Sequence, residues 1–329
     1  MNKDHKKEEE FYAKEDFFFS YSSLNKLLFS PSLFYKDYIL LEREVKTDKH
    51  LIEGKLLHCL LFEPENFEQK FNLMPGKVPT DSLRKVLKDI SLHTDAETLA
   101  SCEDFVILDS LKEINLYQSL KADQARLDKV RTDDNELYWK FLLNSNKDTI
   151  DNDTYNRAKE QIEILKQNKE VKDLFNIKST DFELDSIETY AEKYLTFDIA
   201  DKSYGLHGYI DYFTVDHEKK VATICDLKTT GKTITDFQDT IDFYNYWLQA
   251  AIYCKLVYEY LKDNRDEYSI EFKFVVIDKY NQVYVFDVSQ PTLGSWAEGL
   301  GGVLKVADYH YMNRNYSLPY DFLVNRVKL

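Results

Sequence analysis

Residues Leu206–Thr230 read LHGYIDYFTVDHEKKVATICDLKTT, and the alternation in this stretch decides the fold. Leu206–Val215 and Val221–Leu227 are rich in Tyr, Val, Ile and Thr. The polar run His217–Lys220 separates them, so they read as antiparallel strands joined by a hairpin. Side chains alternate along a strand, which puts Asp226 and Lys228 on one face about 7 Å apart. Closing the hairpin through His217–Lys220 sets Asp211 opposite Asp226, with Cβ atoms about 5 Å apart. Two like charges so placed destabilise a sheet. A shared proton, Lys228 or a bound divalent cation would offset the repulsion, and the cation is the partner that carboxylate oxygens favour. The competing reading makes both acids strand-end residues on a solvated face.

Working outward, Ile187–Ile199 is a third strand of the same character, and Ala200–Gly205 is its turn. Phe237–Leu261 is apolar on nearly every face and predicts one buried helix. Strands over Phe272–Ile277 and Val283–Val288 follow, then a helix around Trp296–Asn313. On the N-terminal side, residues 1–20 read as a charged flexible tail. Tyr21–Tyr38 reads as a helix capped near Ser22 or Ser23 and interrupted at Ser30-Pro31. A second helix is expected over Asp48–Phe62. Residues 78–180 are charged, almost free of Gly and Pro, and carry helical spacing, as in Ala158, Ile162 and Leu165. The order predicts one α/β domain over 21–329: a mixed central sheet with its catalytic core in 187–290 and a large α-helical insertion at 78–180.

Composition narrows the function classes. The chain has 329 residues, 43% of them hydrophobic, enough for a sizeable core. No apolar run approaches the roughly 20 residues a membrane span needs, and the charged start MNKDHKKEEE is unlike a signal peptide, so a cytoplasmic protein without membrane contact is expected. Cys59, Cys102, Cys225 and Cys254 lie far apart, which suggests buried small residues rather than zinc ligands or disulfides. A net charge of -15 argues against a surface coated in basic patches, so nucleic acid would have to bind along a local groove. Aromatic residues make up 15%, and some of the 24 tyrosines are candidates for stacking on bases.

The order Gly208-Tyr-Ile-Asp211, then Ile224-Cys-Asp226-Leu-Lys228-Thr229-Thr230, resembles the core of the PD-(D/E)XK (restriction-endonuclease-like) nucleases of the RecB and phage exonuclease VIII (RecE) type, with Asp226 where Glu is often found. Gly54-Lys-Leu-Leu-His58 is similar to the GxxxH motif ahead of the nuclease strands, and Gln249-Ala-Ala-Ile-Tyr253 to the QxxxY motif after them. Taken alone, a histidine on an apolar helical stretch such as His58 is more often a satisfied core residue than a ligand. One helical turn separates Gln249 from Tyr253, and a buried amide costs roughly 1 to 3 kcal/mol unless hydrogen-bonded, so Gln249 needs a partner, either in a site or on the backbone. Tyr21–Leu28, Ser30–Tyr35 and His310–Tyr320 also resemble exonuclease VIII-type enzymes, which extends the likeness over most of the chain.

The resemblance implies a Mg2+- or Mn2+-dependent exonuclease acting on linear double-stranded DNA in phage recombination, in host cytoplasm. Asp211, Asp226, His58 and the Leu227 backbone carbonyl would ligate metal, with Glu192 as a weaker ligand that reads more readily as a solvated edge-strand acid. Lys228 would orient or deprotonate the attacking water, with Gln249 and Tyr253 completing the catalytic set and Thr229 and Thr230 near the phosphate. Double-stranded DNA ends, a single-strand annealing protein and a homo-oligomeric ring are the implied partners. No cysteines follow the QxxxY helix in the pattern of cluster-bearing relatives, so no iron-sulfur cluster is expected. The alternatives are a RecB-like endonuclease or CRISPR-adaptation-type nuclease and, from another class, a catalytically inactive DNA-end or protein-binding module. Asp216-His217 falls in a turn, and Gly299–Gly302 lacks the Lys-Ser/Thr of a phosphate loop.

Overall fold

Alternating β-branched and aromatic residues do form the strands that their pattern predicts. The computed structural model describes residues 3–14, 16–43, 48–175, 186–325 and 327. Their strands are β1 (Phe17–Phe19), β2 (Phe71–Leu73), β3 (Asp148–Ile150), β4 (Ile187–Asp198), β5 (Tyr204–Asp216), β6 (Val221–Thr230), β7 (Ser269–Asp278) and β8 (Val283–Val288). The chain divides into two compact units, Met1–Lys46 with Glu163–Leu329, and Thr47–Ile162. These bounds differ from the 78–180 read from composition, because the helix Lys49–Phe62 and β2 cluster with the helices that follow them.

The first unit is built on a mixed six-stranded sheet ordered β1-β5-β6-β7-β8, with β4 also on β5. β4, β5 and β6 run antiparallel in turn, β6 and β7 are parallel, and β8 returns antiparallel. The hairpin between β5 and β6 closes on Asp216 opposite Val221, so its loop is the predicted one. Asp216 Oδ1 accepts the N–H groups of Glu218 and Lys219, and Lys220 at φ 55° turns the chain back. Against the sheet pack the helices Tyr21–Phe29, Tyr246–Tyr260 and Gln290–Asn313, whose Leu24, Ile252 and Val303 join Phe213 and Phe274 in one core.

Three expectations are corrected here. The N-terminal residues are not all tail: Lys3–Tyr12 is helical and β1 pairs in parallel with β5, because the rings of Phe11, Tyr12 and Phe17 cluster on Tyr311. The cap of Tyr21–Phe29 is Ser20, in a reciprocal capping box with Ser23, which is N3 rather than the cap; the break at Ser30-Pro31 is present. Phe237–Leu261 is two helices, Phe237–Tyr244 and Tyr246–Tyr260, separated at Asn245 in the left-handed region.

The second unit is mainly helical. Asp81–His93 turns Leu83, Val86, Leu87 and Ile90 inward at helical spacing, against Ile107 and Trp139. The expected all-helical run also holds β3, which pairs in parallel with β2. The chain crosses between units within the helix Asn152–Gln167, on which Ala158, Ile162 and Leu165 are buried as predicted. Residues 176–180 of the expected insertion lie outside the described residues. Cys59, Cys102 and Cys225 are buried thiols, and Cys254 is half-buried. Among the described residues no helix is long and apolar enough to cross a membrane.

Candidate active site

β5 has one edge covered by β4, whereas its other edge is shared by β1 at Tyr204–Leu206 and by β6 from Tyr212 onward. The last β5–β6 rung is Tyr212 with Cys225. Asp211 and Asp226 are the next residues out, at the fork where the two strands part. In place of a further rung, Asp211 Oδ2 accepts the Leu227 N–H at 2.8 Å. The predicted register is therefore present, but the two acids stand just past the ladder's end rather than as a paired rung within it.

Asp226 remains anchored on its other side, in register with Phe274 of β7, and is fully buried. As alternation requires, Lys228 lies on the same face, and its Nζ is 2.6 Å from Asp226 Oδ2. The Lys228 side chain is only 13% exposed. Burial works to lower its pKa, but the charges of Asp226 and Asp211 outweigh burial and hold it above the ordinary lysine value. The group at this position is thus an ammonium.

The β4–β5 ladder is interrupted at the same level. Ala191 pairs with Tyr212 and Lys193 with Ile210, while Glu192, the residue that would face Asp211, is skipped and has φ 45°. A left-handed glutamate in a strand costs of order 1–3 kcal/mol, the kind of strain that persists where the surroundings impose it. A carboxylate oxygen of Glu192 and one of Asp211 come within 4.8 Å.

The QxxxY helix lies on this strand. Gln249 and Tyr253 are buried, and the partner that the amide requires is the motif's own phenol: Gln249 Nε2 donates to Tyr253 Oη at 2.8 Å. A Cβ on Gly208 would lie 2.9 Å from Tyr253 Cε1, so glycine in Gly208-Tyr-Ile-Asp211 is what lets the ring approach. Burial first, then the charges of Asp211 and Asp226, push the Tyr253 pKa well above the phenol range, while the Gln249 bond opposes them. Tyr253 therefore stays neutral.

Of the remaining candidates, Thr229 is exposed and Thr230 half-buried at the end of β6. Thr230 Oγ1 accepts the Lys232 N–H at 3.1 Å. His58 is half-buried on the helix Lys49–Phe62 of the second unit, edge-on to Phe62. Sequence reasoning missed Tyr246, whose ring centroid is 4.8 Å from Lys228 Nζ, and Tyr21, whose ring lies 6.5 Å from that of Tyr246. Tyr246 was hidden by the reading of one continuous helix; Tyr21 falls in the stretch resembling exonuclease VIII but carries no motif of its own.

The chain matches no family model and no curated protein. Among solved structures it is similar to a Eubacterium rectale protein described as a "Putative exonuclease", with 10% identity, 97% of this chain and 91% of that chain covered, and a TM-score of 0.47.

Proposed function

We propose that the protein is a divalent-metal-dependent nuclease of the PD-(D/E)XK type that hydrolyses phosphodiester bonds of linear duplex DNA from an end. One observation carries the reading: buried Asp226, ion-paired to Lys228, stands at a fork in the sheet beside Asp211, with the strained Glu192 at the interrupted rung across from it. A ladder broken at one level on both edges of β5, with acids at both breaks, serves packing poorly and ligand capture well.

The donor set fits magnesium or manganese, which take carboxylate and carbonyl oxygens together with water and phosphate oxygens. Asp211, Asp226 and Glu192 would hold it, with the Leu227 carbonyl and His58 carried as further ligands by their places in the motifs. When bound, the ion lowers the pKa of water and neutralises charge on the phosphate. Lys228 orients or deprotonates the attacking water and stabilises negative charge as the new oxygen–phosphorus bond forms and the bond to the 3′ oxygen breaks, the water's proton passing on to solvent or to the departing oxygen. Gln249 and Tyr253, joined by their hydrogen bond, and Thr229 would position the scissile phosphate or Lys228, with Thr230 following at the end of β6.

End-labelled linear duplex incubated with magnesium, with EDTA, and beside a covalently closed circle tests this. Cleavage of the linear form with magnesium alone is expected, and Lys228→Ala should abolish it. Equal cutting of the circle rejects the exonuclease, and full activity in EDTA rejects the metal site.

A further inference from the structure

In an unbroken α-helix, residues two apart project roughly 200° from each other, so Tyr244 and Tyr246 would lie on opposite sides. The break at Asn245, φ 56° and ψ 40°, stacks them instead, centroids 5.5 Å apart and planes inclined at 24°. Phe243 adds a third ring, edge-on to Tyr244 at 4.9 Å. Asparagine tolerates this conformation, and its side chain is fixed twice: Nδ2 donates to Asn25 Oδ1 at 2.8 Å, and Oδ1 accepts the Trp247 indole N–H at 3.0 Å. The Tyr21 hydroxyl and the Asn25 amide both donate to the Tyr244 carbonyl. The rings therefore form a built series. Its outer member, Phe243, is 75% exposed, Tyr244 is 47% exposed, and the inner member, Tyr246, lies against Lys228.

We propose that Phe243 and Tyr244 are a stacking platform for unpaired nucleobases of the substrate, leading its strand along Tyr246 to Lys228. This deepens, and rests on, the nuclease reading. Aromatic faces grip bases of any sequence. A chain of net charge -15 has little general hold on phosphates, so affinity has to come from contacts of another kind. Lys232 Nζ, 6.0 Å from the Phe243 centroid, suits a backbone passing beside a stacked base. The substrate end would then be engaged as a frayed or single-stranded terminus.

The test is fluorescence anisotropy in EDTA with two labelled probes of equal length and charge, a short oligothymidylate and an abasic backbone. Wild type should prefer the thymidylate by on the order of 10-fold per stacked base. Phe243→Ala, at a site too exposed to threaten folding, should remove most of that preference, and Phe243→Trp should keep it. Equal binding of the two probes by wild type, or an unchanged preference in Phe243→Ala, overturns the platform. So does a change in sedimentation of Phe243→Ala with base preference intact, which would assign the patch to a protein contact. A base preference lost with Phe243 in a protein that cleaves no nucleic acid would sustain the platform and sink the nuclease reading; cleavage without any base preference does the reverse.

Discussion

In the Thr47–Ile162 unit the buried Asn135 amide donates to the carbonyls of Lys129 and Val130, and the Trp139 indole donates to the Ala96 carbonyl. In the sheet of the other unit, buried Asp226 faces Lys228, and Asp211 and Glu192 interrupt ladders on both edges of β5. Both interiors bury polar groups, but Asn135 and Trp139 in the first bond backbone carbonyls and sit in a regular helix. The second holds charges that cost several kcal/mol each to desolvate and keeps a strand residue in an unfavourable conformation beside them. Polar burial that closes backbone hydrogen bonds marks a structural interior, whereas charged burial at a break in regular structure marks a site.

The comparison breaks if stability and activity fail to separate between the two regions. Asp226→Asn keeps shape and volume while removing the charge. Magnesium-dependent cleavage should fall by on the order of a thousandfold, with the circular dichroism spectrum retained. Full activity in that variant would make Asp226 a structural residue. Trp139→Ala should do the opposite, costing about 3–5 kcal/mol in chemical denaturation while the folded fraction cleaves as wild type does. An intact denaturation midpoint there would mean that the helical unit does not depend on its largest buried side chain.

Period-two alternation placed β4, β5, β6, β7 and β8, and the hairpin length fixed the register that brings Asp211 level with Asp226; both are local properties of the chain. Gly208, Gln249 and Tyr253 were legible as motif positions, but their mutual contact was not, because it joins a strand to a helix four decades of residues later and depends on a missing Cβ. The break at Asn245 was opaque for another reason. Apolar residues continue through it, and what stabilises it comes from Asn25, far away in sequence. Glu192 looked like an edge-strand acid because alternation assumes extended backbone, which φ 45° violates.

That backbone gives the next, smaller effect. Glu192→Gly removes a carboxylate and relieves the left-handed strain together, so folding should gain roughly 1 kcal/mol, less the added freedom of glycine in the unfolded chain, while metal-dependent activity falls. Glu192→Ala removes the carboxylate and keeps the strain, so activity should fall equally with no gain in stability. Calorimetry of the two variants beside wild type makes the measurement. A Gly variant that is less stable and fully active would assign the interruption to the fold.

The smallest effect concerns His310, a fully buried polar group in the same unit as the site but built in the manner of Asn135. Its Nδ1 is hydrogen-bonded to the Asn315 carbonyl, and its ring stacks on Tyr316. Burial lowers its pKa below 6.5, with the Asn315 bond opposing, so the folded protein holds it neutral. The unfolded chain binds a proton near pH 6.5 and the folded chain only below that. The contribution is therefore complete above about pH 6.5 and is lost as pH falls through the lower folded value, by at most about 1.4 kcal/mol per pH unit. His310→Gln cannot titrate, so its stability should fall less steeply from pH 6.5 to 5, with a residual slope from His207, whose pKa burial also lowers. Cleavage at pH 7.5 should be unchanged. Identical slopes would show that His310 does not hold this difference, and a lost activity would move it from the structural class into the site.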